Sequence, residues 1–152
     1  MTQPLIHFQN IKKAFGPKVI YSGLDFAIGR GETVTILGPS GSGKSVMLKM
    51  LIGLLEPDSG AIMFDGRDVT KMSERELYEV RRRVAYLFQG AALFDSLNVG
   101  ENVAYGLREQ NWNTMSDEEI RRRVAQSLES VGLPGIEDMR PSDLSGGMRK
   151  RV

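Results

Sequence analysis

The densest concentration of chemistry in the chain is the stretch "GPSGSGKS" at residues 38–45. It fits the pattern of a glycine, four residues, then Gly-Lys-Ser/Thr. In such a loop the glycines let the backbone turn its N–H groups inward, so that several donors converge on a β-phosphate at the positive end of the following helix. Lys44 then bridges the β- and γ-phosphates as a mobile point charge, and Ser45 offers a hydroxyl to Mg²⁺. With Gly at ~7% of residues, a chance match in a chain of this size has odds on the order of one in two hundred. Its setting, after the β-branched run "TVTIL" and before the apolar run "KSVMLKMLIGLL", lowers those odds further. Mg-nucleotide binding is the strongest single inference, and it draws on Gly38, Ser40, Gly41, Ser42, Gly43, Lys44, Ser45 and Val46.

The bulk numbers frame that site. A chain of 152 residues is long enough for one domain with a sizeable core. The formal net charge of +1 gives no electrostatic footprint for nucleic acid or acidic lipid. With no cysteine, disulfides, zinc-thiolate sites and Cys nucleophiles are excluded. The single histidine, His7, sits in "LIHFQN" and reads as a strand-face residue, since a metal site wants several donors. The N-terminus lacks the basic and apolar regions of a signal peptide. The longest apolar stretch, "VMLKMLIGLL", is about half of the ~20 residues a membrane span needs. Any work at a membrane then requires another subunit to supply the spans.

The elements that must position the loop read as follows. "LIHFQNI", "KVIYS", "LDFAI" and "TVTIL" are short β segments separated by Gly-Pro and Gly-Arg-Gly-Glu turn signals, and "GAIMFDGRDV" is a strand pair turning at Asp65-Gly66. "VAYLFQ" fits a second central strand. Two Ser-x-x-Glu capping boxes, at Ser73 and Ser116, open helices whose triple-arginine runs read as solvated faces or helix-end charges. From about residue 93 the signal is helical. The expected fold is α/β, a P-loop NTPase core with an antiparallel β subdomain and an α-helical subdomain. Residues 1–92 carry the β subdomain and core, and 93–152 the helical part.

Three further stretches fall in the order and at the separations that mark the ATP-binding cassette family, which the chain resembles over nearly its whole length. "AFG" at 14–16 resembles the aromatic loop that stacks adenine, "YLFQ" ends in a glutamine like that of the Q-loop, and "LSGG" at 144–147 resembles the signature. The resemblance implies that Phe15 stacks the base, without the hydroxyl of the tyrosine common at this place. It implies that Gln89 reaches Mg²⁺ or the attacking water. It also implies that Ser145, Gly146 and Gly147 contact the γ-phosphate held on a partner protomer's phosphate loop. Two copies, head to tail, would sandwich two ATP molecules. The family's later Walker B aspartate, catalytic glutamate and switch histidine have no counterpart in this sequence. It therefore reads as an N-terminal piece of a longer cassette, incomplete at its C-terminus, that binds Mg-ATP weakly and hydrolyses it hardly at all.

Residues 72–109, above all "LFQGAALFDSLNVGENVAYGLRE", resemble the ATPase of Mla-type phospholipid transporters. That resemblance implies an integral permease seated in a groove that Ala91 to Leu97 help to form. It further implies an MCE-domain lipid-binding protein and a cytoplasmic location, peripheral on the inner membrane. No nucleic-acid partner is expected. A soluble cassette for DNA repair or ribosome-associated work is the alternative from another class. Gln89 and Ser145 are only 56 positions apart with no heptad run between them, which disfavours the DNA-repair version with its long coiled coil. A nucleotide-binding module that never hydrolyses is the third reading.

Overall fold

The computed structural model describes residues 3–110 and 114–152, which form two compact units, Met1–Tyr86 and Leu87–Val152. The division falls earlier than the expected boundary after residue 92. Beyond residue 92, Leu93 packs on the second unit's core, and Asn102 ties down both the N–H and the carbonyl of Phe94.

In the first unit, β1 (Ile6–Phe15) lies between β2 (Lys18–Ile28) and β3 (Ser59–Phe64), and β4 (Arg67–Asp68) adds an edge, all antiparallel in the order β2-β1-β3-β4. The two segments expected at "KVIYS" and "LDFAI" are one strand. The turn at Asp65-Gly66 forms as expected, with φ of 51° and 80°, the left-handed pair that a two-residue hairpin needs. β1 is not a plain alternating strand. Its register shifts between Phe8 and Ile11, where Asn10 adopts φ 48° and its N–H donates to the Asp25 carboxylate. This bulge puts Phe8 and Ile11, three apart, on the same buried face, where simple alternation would have buried Asn10.

Two helices complete this core. α1 (Lys44–Leu51) buries Met47, Met50 and Leu51, an i, i+3, i+4 stripe. It ends sooner than the apolar run suggests, because Gly53 (φ 66°) closes it: Gly53 N–H donates to Met50 O and Leu54 N–H to Lys49 O. α2 (Glu74–Arg81) opens with the expected capping box, Ser73 Oγ accepting from Glu76 N–H and the Glu76 carboxylate accepting from Ser73 N–H. It buries Leu77 and Val80 against the same cluster as Phe8, Ile11, Ile62 and Phe64.

One expectation is corrected here. Neither "TVTIL" (33–37) nor "VAYLFQ" (84–89) is a strand. Both run without helix or ladder pairing, and neither pairs with a strand among the described residues. Val34, Ile36, Leu37 and Leu87 stay exposed, Leu37 at 88%. A parallel-sheet strand is defined by neighbours that satisfy its N–H and C=O groups, so β-branched composition alone does not make one.

The second unit is helical. α3 (Val99–Gln110) and α4 (Asp117–Ser130) pack together, followed by a 3₁₀ turn at Pro141–Asp143 and α5 (Gly146–Arg151). Its core is Val99, Ala104, Ile120, Val124, Leu128, Leu133 and Leu144. Ser116 caps α4 through Glu119 N–H, but the reciprocal half of the expected box is replaced. The Glu119 carboxylate accepts instead from Arg122 and Arg123 and is held below the usual range by those bonds. A reciprocal cap the sequence reading missed lies at Asn98: its Oδ1 accepts from Glu101 N–H at 2.7 Å, and Glu101 Oε2 accepts from Asn98 N–H at 2.8 Å.

Candidate functional site

The phosphate loop joins the unpaired segment 33–37 to α1. Gly41 (φ 81°) and Gly43 (φ 98°) hold left-handed backbone, and Gly43 is the N-cap of α1 with no side chain capping the first turn. No acidic residue lies in that turn. The first helical N–H groups therefore keep their donor capacity, backed by the positive end of the helix dipole. A side chain at Gly38 or Gly43 would collide with its surroundings, since a Cβ there would come within 2.7 Å of Ser42 Oγ or 2.5 Å of Tyr21 Oη. At Gly43 close packing and left-handed backbone both call for glycine, whereas at Gly38 the nearest atom is the Ser42 hydroxyl alone.

Lys44 folds back over the loop, its ammonium donating to Gly38 O at 2.6 Å and Pro39 O at 2.9 Å. Those neutral carbonyl partners are ones an anionic phosphate can outcompete. Ser40, Ser42 and Ser45 are exposed, whereas Val46 packs on the hydrophobic core, so its contribution to a ligand is confined to its backbone N–H. A cavity of about 440 Å³ opens beside the loop; Leu24, Phe26, Val34, Ile36 and Leu37 give it apolar walls, with Ser42 and Lys44 among its polar members. Walls of that kind suit apolar side chains better than a triphosphate.

Phe15 ends β1 and is half exposed. Lys13 Nζ lies 5.4 Å from its ring centroid and is itself bound to Asp58 at 2.8 Å, while the other Asp58 oxygen accepts from Ala14 N–H at 2.6 Å. The Lys13 hydrogen bond, then that of Ala14, holds the Asp58 carboxyl below the ordinary range. Across the hairpin Phe15 pairs with Lys18, whose Nζ stands 3.5 Å from where a Cβ on Gly41 would be. The aromatic tip and the phosphate loop are thus neighbours. Sequence reasoning missed Lys13, Asp58 and Tyr21, because each acts across the sheet rather than within a local pattern.

The remaining candidates lie in the second unit. Gln89 is exposed in a turn at 89–90, followed by two alanines with positive φ, Ala91 at 64° and Ala92 at 56°. Leu93 is half-buried in the helical core, but Phe94 is 47% exposed and packs against Tyr105, itself exposed, with ring centroids 4.8 Å apart and the rings tilted by 48°. Within the segment expected to help form a groove, Leu93 is therefore partly core and Phe94 is surface. In "LSGG", Leu144 is buried while Ser145, Gly146 and Gly147 are exposed. Ser145 Oγ accepts from Met148 N–H at 3.2 Å as the N-cap of α5, which leaves its own proton free to donate.

A phosphate loop leading into α1, beside an exposed aromatic on an antiparallel sheet, is the arrangement of the P-loop class. The ABC transporter family model matches residues 21–152, and the chain belongs to that family. It is 44% identical over 152 residues, all of this chain and 57% of the relative, to the intermembrane phospholipid transport system ATP-binding protein MlaF of Haemophilus influenzae. It is 46% identical over 147 residues, 97% of this chain and 40% of the relative, to the probable ribonucleotide transport ATP-binding protein mkl of Mycobacterium tuberculosis. Among solved structures, the dimeric post-hydrolysis state of the ATP-binding cassette MJ0796 bound to ADP and Pi superposes with a TM-score of 0.87 at 32% identity, covering 96% of this chain and 66% of that one. The chain therefore spans between two fifths and two thirds of the length of these relatives. Among the described residues, no helix is long and apolar enough to cross a membrane.

Proposed function

We propose that the chain is the nucleotide-binding part of an ABC transporter ATPase subunit, serving export or import of phospholipid or a related hydrophobic substrate. The observation that carries the reading is the phosphate loop itself, an uncapped helix N-terminus with Lys44 poised on two carbonyls. Gly38, Ser40, Gly41, Ser42, Gly43, Lys44, Ser45 and Val46 hold the phosphates of ATP, and Phe15 stacks adenine. Ser45, exposed in the first turn, suits Mg²⁺, a hard cation that takes oxygen ligands and fills its remaining positions with phosphate oxygens and water. Gln89 is the second protein ligand in this reading. Mg²⁺ supplies charge neutralisation between the phosphates.

Ser145, Gly146 and Gly147 serve a second protomer's nucleotide in a head-to-tail dimer, and Ala91 to Leu97, with the exposed Phe94–Tyr105 pair, receive an integral permease. An MCE-domain lipid-binding protein completes the assembly at the cytoplasmic face of the inner membrane. The 44% identity to a phospholipid transport ATPase across the whole chain supports the lipid substrate. Turnover needs a group that orients and deprotonates water beside the γ-phosphate. None of the residues assigned to the site is a carboxylate or histidine that could take that proton, and this chain is proposed to bind nucleotide with little hydrolysis of its own.

Equilibrium dialysis tests the nucleotide assignment. Mg-ATP should bind and be displaced by ADP, while Mg²⁺-free ATP should bind more weakly. Equal retention of ATP with and without Mg²⁺ would count against Ser45 as a metal ligand, and no retention would remove the assignment.

A further inference from the structure

We infer that Tyr21, on β2, is a positioning residue for phosphate binding that sets the direction of a loop amide through the Gly43 carbonyl; the inference rests on the nucleotide reading above. The Tyr21 hydroxyl donates to Gly43 O at 2.6 Å, and the same oxygen accepts the first helical bond from Met47 N–H at 3.0 Å. Gly43 is followed by Lys44 across a planar trans peptide, in which C=O and N–H point in opposite directions. Fixing the Gly43 carbonyl toward the sheet and α1 therefore fixes the Lys44 N–H away from them, out of the helix N-terminus, where an anion binds. A donor on the Gly43 carbonyl also polarises the peptide, which makes the Lys44 N–H at its other end a stronger donor, since sequential hydrogen bonds strengthen one another.

Other observations agree. Gly43 is a left-handed N-cap, and such a peptide could rotate if nothing held it. The contact is tight, since a Cβ at Gly43 would meet Tyr21 Oη at 2.5 Å, Ile20 Cγ2 at 2.7 Å and Tyr21 Cζ at 2.8 Å, so the strand and the loop are built against each other. Burial pushes the Tyr21 hydroxyl above its ordinary value, which keeps it a donor throughout the neutral range. The ring also packs against the main core, so the hydroxyl is presented from a fixed base. Nothing in the phosphate-loop pattern specifies a tyrosine on the strand behind it.

The test compares the unsubstituted 152-residue chain, Tyr21→Phe and Lys44→Ala, titrated with Mg-ATP, Mg-ADP and adenosine, with backbone amide spectra of each. Tyr21→Phe keeps the ring and removes only the donor. It should weaken Mg-ATP and Mg-ADP by about threefold to tenfold, the range of one neutral hydrogen bond. Adenosine affinity should stay the same, and the Lys44 amide resonance should move while those of β3 do not. A merely structural role would leave the phosphate-dependent difference and the Lys44 amide unchanged. Wild-type affinity in Tyr21→Phe, with binding abolished in Lys44→Ala, would overturn this inference and leave the nucleotide reading standing. No binding by the unsubstituted chain would overturn both. If Tyr21→Phe loses its fold by circular dichroism, the hydroxyl proton of the unsubstituted chain decides. Slow exchange and a shift on adding Mg-ADP are expected, and free exchange contradicts the inference.

Discussion

The two units hold their candidate residues by different means. In the second unit the signature is anchored from within: Leu144 is buried in a closed helical core, and the three residues after it project from that anchor. In the first unit the phosphate loop has a firm side and an open side. α1 is fixed by Met47, Met50 and Leu51 and by the Tyr21 bond, but the segment leading into the loop, 33–37, leaves its apolar side chains exposed. A helix end carries its own hydrogen-bond order, whereas an extended segment depends on neighbours. The loop should therefore be rigid from Gly43 onward and less constrained before Gly38.

That contrast can be broken at its cores. Leu128→Ala in the second unit should cost about 2–5 kcal/mol in urea unfolding, the usual cost of truncating a fully buried leucine. Hydrogen exchange should place the loss in residues 87–152, and a loss spread equally over both units would contradict their independence. In the first unit Gly60→Ala should cost about 3 kcal/mol. Gly60 has φ 99°, and a Cβ would come within 2.6 Å of the Gln9 and Asn10 carbonyl oxygens, backbone atoms that cannot move aside.

Smaller effects sharpen the comparison. Asn98→Ala removes one side of the reciprocal cap on α3 and should cost about 1 kcal/mol by the same denaturation. Leu37→Gln should change stability by less than about 0.5 kcal/mol, because a residue already in solvent has little burial to lose. A large destabilisation there would show that 33–37 is packed after all. For pH the sign follows from Asp58, whose carboxyl is held low in the folded chain by Lys13 and Ala14. Its contribution is present above the unfolded value of about 3.9 and is lost as pH falls through the lower folded value. Acidification from pH 6 toward pH 3 should loosen the Phe15 hairpin tip, seen as a lower protection factor at Ala14 once the intrinsic pH dependence of amide exchange is divided out, and Asp58→Asn should remove that loss of protection.

What could be read from the sequence divides along the same line. The phosphate loop, the Ser73 capping box, the Asp65-Gly66 turn and the helical character after residue 93 are local, each decided by residues within a few positions. The bulge at Asn10 was hidden, because it depends on Gly60 lying opposite and on Asp25 across the sheet. The expected strands 33–37 and 84–89 failed for the same reason, since composition supplies propensity and pairing requires a partner. At the site, Lys44 and its glycines were legible; Tyr21 and the Lys13–Asp58 support of the aromatic tip were not, being contacts between segments far apart in the chain. The second half of the Ser116 box was lost to competition, as Arg122 and Arg123 take the carboxylate that would have closed it.

The central claim is that Lys44 and the glycine-framed N-terminus of α1 form a phosphate site. Calorimetric titration of the chain with Mg-ATP, beside Lys44→Ala, tests it most directly. The account predicts saturable binding that Lys44→Ala abolishes while its circular dichroism spectrum stays that of the unsubstituted chain. Equal affinity in the two proteins, or no binding by a chain shown to be folded, would contradict it.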